Sequence, residues 1–288
     1  REYCEKFVTR IIDLIDQTDP DLVYFDDTVL PIYPGTDMGL RIAAYYYNTN
    51  LAKRGKLEAV MTGKGLNPQQ HQCLVLDVER GVTGGIEALP WQTDTCIGGW
   101  HYDHRLLDEH KYKTAESVAL MLVDIISKNG CLQLNIPLPG HGVPDSDERK
   151  FLAEFTQWMD TNSPGIYATR PWKVYGEGPG MAGAPAGQFG GVRDVRPYTA
   201  QDVRFVQKDG VLYAFMMGWP DDGKLTLTSL ADGGGEMPNA KVERVELLGM
   251  SEPVKFTRDA TALTLTLPEK KVGDFAYCFK IQGNGLTS

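Results

Sequence analysis

The sequence has few cysteines, little positive charge and no long apolar run, and each shortage excludes a class of protein. The five cysteines in 288 residues are an odd number without CxxC spacing, so we expect free buried thiols rather than a zinc site or a disulfide framework. Lysine and arginine number 29 against 38 acidic residues, a net charge of −9, which argues against a nucleic-acid binder or an anionic-membrane binder. No apolar run approaches the roughly 20 residues that a membrane-spanning helix needs.

Cofactor motifs are missing as well. No GxGxxG or GxxxxGK[ST] motif follows a predicted strand, so nothing supports nucleotide binding. Four histidines lack the spacing of metal ligands, and we therefore predict neither a metal nor any other cofactor; they are His71, His104, His110 and His141. The chain begins at Arg1 and has no signal-like apolar segment at its start, so we expect a processed or truncated product.

The first 167 residues alternate helical and strand patterns. Apolar residues recur at helical spacing in residues 2–16, 36–55, 114–127 and 146–160. Short apolar runs predict strands at residues 22–25, 57–62, 73–76, 95–100 and 131–136. This alternation predicts an α/β fold with a parallel sheet, open or closed into a barrel. Several of these strands end in acidic, amide or aromatic residues, as the active-site ends of barrel strands do.

The pattern changes near residue 168. Residues 176–191 are dominated by Gly, Pro and Ala and predict a long loop. Turn signals separate six further alternating or apolar runs, at residues 203–206, 211–217, 225–230, 242–248, 263–267 and 275–281. Short strands at this spacing predict an antiparallel β-sandwich. We therefore assign residues 1–167 to an α/β domain and residues 168–288 to an all-β domain.

Two carboxylates follow strands of the predicted sheet. Asp26 comes directly after a buried strand, and Glu79 lies just past the strand that ends at residue 76. In a parallel barrel both would project from the same rim, and paired carboxylates facing one pocket are what glycoside hydrolysis needs. Glu87 is an alternative for the second carboxylate. The structural alternatives are that Asp26 caps the next loop and that Glu79 forms a salt bridge with Arg80 or another surface base.

Aromatic side chains cluster after these carboxylates. Trp91 lies in the run LPWQTDT, and Trp100 is followed by His101 and Tyr102. Flat aromatic rings pack well against the apolar C–H faces of sugars. A single Trp is more often a core residue, but a cluster of aromatics beside Gln, Thr, Asp and His favours a sugar site.

Four ordered segments carry a resemblance to a known family. They are residues 20–26 (PDLVYFD), 89–102 (LPWQTDTCIGGWHY), 127–137 (SKNGCLQLNIP) and 165–171 (GIYATRP). Together they resemble glycoside hydrolase family 29, the retaining α-L-fucosidases, and the resemblance extends over nearly the whole chain. It implies a (β/α)8 barrel followed by a C-terminal β-sandwich, and cleavage of terminal α-L-fucose from fucosylated glycans.

The resemblance also implies roles for individual residues. Asp26 would be the nucleophile, and Glu79 best matches the acid/base position, with Glu87 as its rival. Lys64 lies near a position where the family commonly has an Arg in contact with the sugar, which is a departure from the pattern. Substrate contacts are implied for Tyr24, Lys64, Trp91 and Trp100.

A partial barrel is a further implication. The family's nucleophile stands on the fourth of eight strands, so the five predicted strands would be the fourth to the eighth. We therefore expect the C-terminal part of a longer enzyme, inactive or nearly so by itself. The family resemblance also implies a periplasmic or secreted protein with a fucosylated oligosaccharide or glycoconjugate as substrate, and a homo-oligomer stays open.

Two other functions stay open at this stage. One is a non-catalytic carbohydrate-binding or degenerate glycosidase-like protein, which would bind glycans through exposed aromatics of the sandwich such as Trp172 or Trp219. The other is a glycosidase of another family, which would keep the paired carboxylates and act on a different sugar.

Overall fold

The computed structural model describes residues 1–28, 35–181 and 198–287, and the chain forms two compact units. The first unit comprises residues 1–79 and 89–92, and the second comprises residues 80–88 and 93–288. No helix within the described ranges is long and apolar enough to cross a membrane.

The first unit alternates helices with parallel strands. Its elements are α1 (Glu2–Thr18), β1 (Leu22–Thr28), α2 (Met38–Arg54), β2 (Val60–Lys64), α3 (Pro68–His71), β3 (Val75–Asp77) and the first two residues of β4 (Trp91–Cys96). The strand order is β1-β2-β3-β4, and all three pairings are parallel. The parallel sheet predicted from the sequence is therefore confirmed.

Local sequence explains where α1 ends and what it buries. Asp19 adopts a left-handed φ of 44°, its N–H donates to the carbonyl of Ile15, and Pro20 prevents continuation of the helix. Ile15 of α1 shares one apolar core with Ile42 of α2 and Met61 of β2. Burial of each such side chain contributes roughly 1.5–3 kcal/mol, which holds the first two strands against two helices.

The strand register brings polar residues of neighbouring strands side by side. Lys64, the last residue of β2, pairs with Asp77, the last residue of β3, and Asp77 in turn pairs with Gln92 of β4. Paired residues of a sheet project from the same face, so these three side chains form one row across three strands. Tyr24 of β1 pairs with Thr62 of β2 in the same sheet.

The second unit contains the remaining α/β elements and all of the antiparallel strands. After β4 come α4 (His104–Asp108), α5 (Ala115–Ser127), β5 (Gly130–Asn135) and α6 (Ser146–Asn162), and β5 follows β4 in the sheet order. The later strands are β6 (Arg170–Glu177), β7 (Val203–Lys208), β8 (Val211–Met216), β9 (Lys224–Leu227), β10 (Lys241–Leu247), β11 (Lys255–Arg258), β12 (Leu263–Thr266) and β13 (Tyr277–Asn284). They form a five-stranded sheet in the order β10-β13-β8-β7-β6 and a three-stranded sheet in the order β11-β12-β9.

The five-stranded antiparallel sheet is buried on both faces. One face shares an apolar core with the three-stranded sheet, for example through Phe205 of β7 and Leu265 of β12. The other face packs against α5 and α6, where Val123 and Trp158 share a core with Phe215 of β8. The predicted antiparallel sandwich is therefore confirmed, and two helices of the α/β part cover its second face.

The strand predictions need three corrections. The strand expected at residues 95–100 instead spans Trp91–Cys96, where every residue is buried, and Gly98 and Gly99 lie beyond it. The apolar pattern does not predict β6, which contains Pro171 and Gly176, or β11, which is four residues long and alternately exposed. The predicted loop at residues 176–191 overlaps the end of β6, and its residues 182–191 lie outside the described residues.

Two expectations about exposure are wrong. Trp172 is buried in the sandwich core, and its indole Nε1 donates to the carbonyl of Leu286 at 2.8 Å, so it offers no exposed platform for a sugar. Trp219 is half-buried and packs edge-on against Tyr277 at a ring-centroid distance of 4.7 Å, so the expectation for this residue is neither met nor excluded. All five cysteines are free thiols as expected, but Cys73 and Cys131 are exposed rather than buried.

Candidate active site

A row of buried polar side chains marks one edge of the parallel sheet. Lys64, Asp77 and Gln92 expose 7%, 0% and 6% of their surfaces, and the register already places them side by side. Burying an ammonium or a carboxylate is costly unless the group is paired and hydrogen-bonded. The row therefore needs partners, and it has them within the first unit.

Asp26 is the exposed partner of this row. The Lys64 ammonium Nζ lies 3.0 Å from Asp26 Oδ1, and the Tyr24 hydroxyl donates to the same oxygen at 3.2 Å. The Asp26 side chain is 84% exposed, in contrast to the lysine that holds it. The two donors contact one carboxylate oxygen, and the high exposure of the side chain leaves the carboxyl accessible to a ligand.

Glu79 is the second carboxylate that Lys64 contacts. Nζ lies 2.9 Å from Glu79 Oε2, and the glutamate side chain is partly buried. Since Nζ lies 3.0 Å from Asp26 Oδ1, the two carboxylate oxygens are at most the sum of these distances apart, about 5.9 Å. The sequence expectation that Asp26 and Glu79 meet in one place agrees with this geometry, and the basic partner of Glu79 here is Lys64 rather than Arg80.

Asp77 lies at the centre of the network. The Tyr24 hydroxyl is shared between Asp26 and Asp77, whose Oδ2 it contacts at 3.3 Å. Gln92 Nε2 donates to Asp77 Oδ1 at 3.0 Å, and the Lys64 ammonium lies 3.8 Å from Oδ2. Both oxygens of this fully buried carboxylate are thus satisfied by named donors.

Hydrogen bonding controls the charge of Asp26. The hydrogen bond from Lys64 lowers the pKa of the Asp26 carboxyl, partial burial opposes that effect, and the lysine charge and the Tyr24 hydroxyl lower the pKa further. Asp26 is therefore held as a carboxylate at neutral pH. An exposed, ionised carboxylate beside a second carboxyl group can act as a nucleophile or can activate water.

Of the other predicted site residues, Trp100 and Glu87 belong to the second unit and Trp91 belongs to the first. Trp100 is 38% exposed, and the Arg80 guanidinium stacks on its ring at 4.6 Å. Glu87 is half-buried, and its backbone N–H donates to the carbonyl of Lys128 at 3.2 Å. Trp91, which belongs to the first unit, is fully buried at the start of β4.

Sequence reasoning missed Asp77 and Gln92 as parts of the site. A signal for both was present, because Asp77 directly follows a predicted strand and Gln92 lies in the motif that contains Trp91. Neither residue type in isolation indicates a buried network, and the pairing appears with the register of β2, β3 and β4. Among the described residues, no group of three or more His, Cys, Asp or Glu side chains is arranged to hold a metal ion.

Family profiles match both parts of the chain. Residues 1–164 match the profile described as alpha-L-fucosidase, and residues 196–282 match the one described as the alpha-L-fucosidase C-terminal domain. An alpha-L-fucosidase of Branchiostoma floridae is 26% identical over 268 residues, which cover 91% of this chain and 52% of that protein. The tissue alpha-L-fucosidase of Rattus norvegicus is 31% identical over 157 residues, covering 54% of this chain and 28% of the rat protein.

Solved structures share the fold at low sequence identity. An alpha-L-fucosidase structure superposes with a TM-score of 0.73 and 20% identity, covering 98% of this chain and 56% of that one. The alpha-fucosidase of Thermotoga maritima in complex with fucose gives a TM-score of 0.69 and 19% identity over 97% of this chain and 56% of its own. This chain spans about half the length of the curated relatives it matches, or less.

Proposed function

The chain belongs to the α-L-fucosidase family, and from that premise we propose that it carries the catalytic carboxylates of a retaining α-L-fucosidase. Asp26 is the nucleophile and Glu79 is the acid/base. The substrate is a fucosylated oligosaccharide or glycoconjugate, from which a terminal fucose is released. Similarity to a fucosidase that was solved with fucose bound supports the choice of sugar.

The first step forms a covalent intermediate. An oxygen of the Asp26 carboxylate attacks the anomeric carbon while the bond from that carbon to the leaving oxygen breaks. Glu79 gives its proton to the leaving oxygen and becomes a carboxylate. Asp26 loses its negative charge because its oxygen is now an ester oxygen of the fucosyl-enzyme.

The second step returns the site to its starting state. Water attacks the anomeric carbon, Glu79 takes the proton that the water loses, and the ester bond to Asp26 breaks. Fucose leaves with the configuration that it had in the substrate, because the carbon is inverted twice. Tyr24 and Lys64, which both contact Asp26, are the proposed substrate contacts. Trp91 is fully buried and offers no face to a sugar, so it is not kept as a contact, and the contact expected of Trp100 stays a prediction.

The separation of the two carboxylates supports retention most directly. Retaining glycosidases hold their carboxyl groups about 5–5.5 Å apart, and inverting enzymes leave roughly 6.5–9.5 Å for a water molecule. The upper limit of about 5.9 Å between Asp26 Oδ1 and Glu79 Oε2 lies below the inverting range and supports a retaining arrangement.

Hydrolysis of an aryl α-L-fucoside, by this chain and by a version extended to the length of its relatives, tests the proposal when the products are followed by ¹H NMR. We expect α-L-fucose as the first product, before mutarotation, and loss of hydrolysis by at least about 1,000-fold in Asp26→Asn, because the nucleophile is gone. Asp21→Asn is the matched control. Asp21 is an exposed aspartate next to the same strand, and it forms a salt bridge with Arg54. β-L-fucose as the first product, or an Asp26→Asn variant as active as the control, would contradict the proposal.

The location of the protein is proposed from the family resemblance. A periplasmic or secreted enzyme meets fucosylated glycoconjugates at the cell surface and in secretions. Fractionation of the source cells checks this, and recovery of the protein with the cytosolic fraction would contradict it.

A further inference from the structure

Lys64 lies among three carboxylates. Its Nζ is 3.0 Å from Asp26 Oδ1, 2.9 Å from Glu79 Oε2 and 3.8 Å from Asp77 Oδ2. An ammonium group has three N–H donors, so it can serve three acceptors arranged around one nitrogen. A planar guanidinium would have to direct its donors in a fixed fork, which suits two parallel acceptors better than three separate ones.

Two of the three carboxylates exchange their charge during the proposed reaction. Before the first step Asp26 is ionised and Glu79 carries a proton. In the covalent intermediate Asp26 is a neutral ester and Glu79 is ionised, because its proton has gone to the leaving oxygen. The negative charge therefore moves between two groups that both lie within hydrogen-bond distance of the same ammonium.

Asp77 does not take part in this exchange. It is fully buried, and its partners Gln92 and Tyr24 fix both of its oxygens. Strand pairing holds its backbone beside that of Lys64, since the two residues are register partners on β2 and β3. Asp77 is therefore a permanent negative charge at a fixed position next to the lysine.

We propose that Lys64 is a positioning residue whose ammonium follows the negative charge from Asp26 to Glu79 and back, while Asp77 keeps it between the two. The proposal rests on the proposed function for the order of charge states. The exchange itself is argued from the distances of Lys64 Nζ to Asp26 and to Glu79. A shift of the ammonium by a few tenths of an ångström strengthens one of these contacts and weakens the other. The site then keeps one ionised catalytic carboxylate facing one ammonium throughout the reaction.

Crystal structures of two variants of the full chain test the exchange without any catalysis. Asp26→Asn imitates the neutral ester, and Glu79→Gln imitates the protonated acid. We expect Nζ to stay within about 3.0 Å of Glu79 in the first variant and of Asp26 in the second, and the contact to the neutral side chain to lengthen beyond roughly 3.3 Å. An ammonium at the same position and with equal distances in both variants would overturn the proposal.

The rates of formation and hydrolysis of the intermediate distinguish the proposed role of Lys64 from a purely structural one. With an aryl fucoside in rapid-mixing experiments, we expect Lys64→Met to slow formation and hydrolysis of the intermediate to a similar extent, at least about tenfold each. The turnover rate then falls while the amplitude of the initial burst changes little, and Lys64→Arg retains part of both rates because it keeps the charge. A large change of burst amplitude, which means that one step alone is affected, would overturn the proposal.

Lys128→Met is the matched control for this measurement. Lys128 is also a buried, ion-paired lysine, 2.8 Å from Asp124, and it belongs to the second unit. We expect this control to lower stability and to leave both rate constants within about twofold of wild type. If neither this chain nor a version extended to the length of its relatives hydrolyses fucosides, the proposed function fails, and the variant structures still decide the exchange of partners by Lys64.

Discussion

Asp26 and Asp77 are both strand aspartates in contact with the Tyr24 hydroxyl, but their surroundings differ. The Asp26 side chain is 84% exposed, whereas Asp77 has no exposed surface. A nucleophile must reach a sugar carbon, so the exposed carboxylate suits that role and the buried one does not. Asp77 instead fixes the orientation of its neighbours, because its two oxygens accept from Gln92 and Tyr24.

The choice between Glu79 and Glu87 as acid/base belongs to the scale of single residues. We expect Glu79→Ala to lower hydrolysis by about 100-fold or more, since general acid–base catalysis contributes typically 10²–10⁴-fold. Added azide should restore turnover in this variant by attacking the fucosyl-enzyme, giving a fucosyl azide of retained configuration. Glu87→Ala serves as the control, and rescue by azide in Glu87→Ala but not in Glu79→Ala would reverse the assignment.

The pH dependence of the reaction follows from the hydrogen bond between Lys64 and Asp26. That bond lowers the pKa of Asp26, so the nucleophile stays ionised to a lower pH than an ordinary aspartate. In Lys64→Met the pKa rises, and the acid limb of the kcat/KM profile moves to higher pH. Lys128→Met is the control, with an unchanged acid limb. An acid limb that stays in place or moves to lower pH in Lys64→Met would contradict the assignment of Asp26.

At the scale of secondary-structure elements, the site depends on strand register. Lys64, Asp77 and Gln92 face one another because β2, β3 and β4 pair in parallel at those positions. A slip of one residue in β3 would turn Asp77 to the other face of the sheet and leave its partners buried without an acceptor. The polar row therefore also specifies the register of the three strands.

Stability measurements on Asp77 variants check this role of the row. We expect Asp77→Ala to lower the free energy of unfolding by about 2–3 kcal/mol, because the Tyr24 hydroxyl and the buried Gln92 amide lose an acceptor, whereas Lys64 keeps Asp26 and Glu79. Asp77→Asn keeps an acceptor oxygen and should cost less, about 1–2 kcal/mol. Urea titration followed by circular dichroism measures both, and an Asp77→Ala variant as stable as wild type would show that the row is dispensable.

The sequence predicted the elements with periodic patterns and missed those that depend on long-range pairing. The spacing of apolar residues predicts α5 and α6 because each helix buries one face, and the observed helices Ala115–Ser127 and Ser146–Asn162 agree. The strand predicted at residues 95–100 is displaced from the observed β4, because the largely polar sequence of β4, WQTDTC, does not resemble a buried strand. The pairing of Asp26 and Glu79 through Lys64 could not be predicted, because it depends on which side chains the register brings to one nitrogen.

At the scale of the whole molecule, a buried ion cluster joins the segments that match the two family profiles. Asp124 of α5 lies in the segment 1–164, and Arg204 of β7 lies in the segment 196–282. Arg204 Nε donates to Asp124 Oδ1 at 2.6 Å, and Lys128 Nζ donates to Asp124 Oδ2 at 2.8 Å. All three side chains are buried, so one carboxylate balances two cations inside the second unit.

The stability of the chain should therefore depend on pH through Asp124. Burial raises the pKa of its carboxyl, but Arg204 and Lys128 outweigh that effect and leave the pKa lowered. A carboxyl with a lowered native-state pKa contributes stability that is fully present above its unfolded value, about 3.9, and that is lost as the pH falls through the native value.

We expect Asp124→Asn to lower the free energy of unfolding at pH 7 by about 3–5 kcal/mol, because two buried cations lose their carboxylate. Urea titrations between pH 7 and pH 3 measure this, and the difference between wild type and variant should shrink as the pH falls. Glu148→Gln is the control of opposite sign: burial raises the pKa of Glu148, so wild type should gain stability relative to this variant as the pH falls. A difference that stays constant over this range would mean that packing, and not the charge of Asp124, holds α5 against β7.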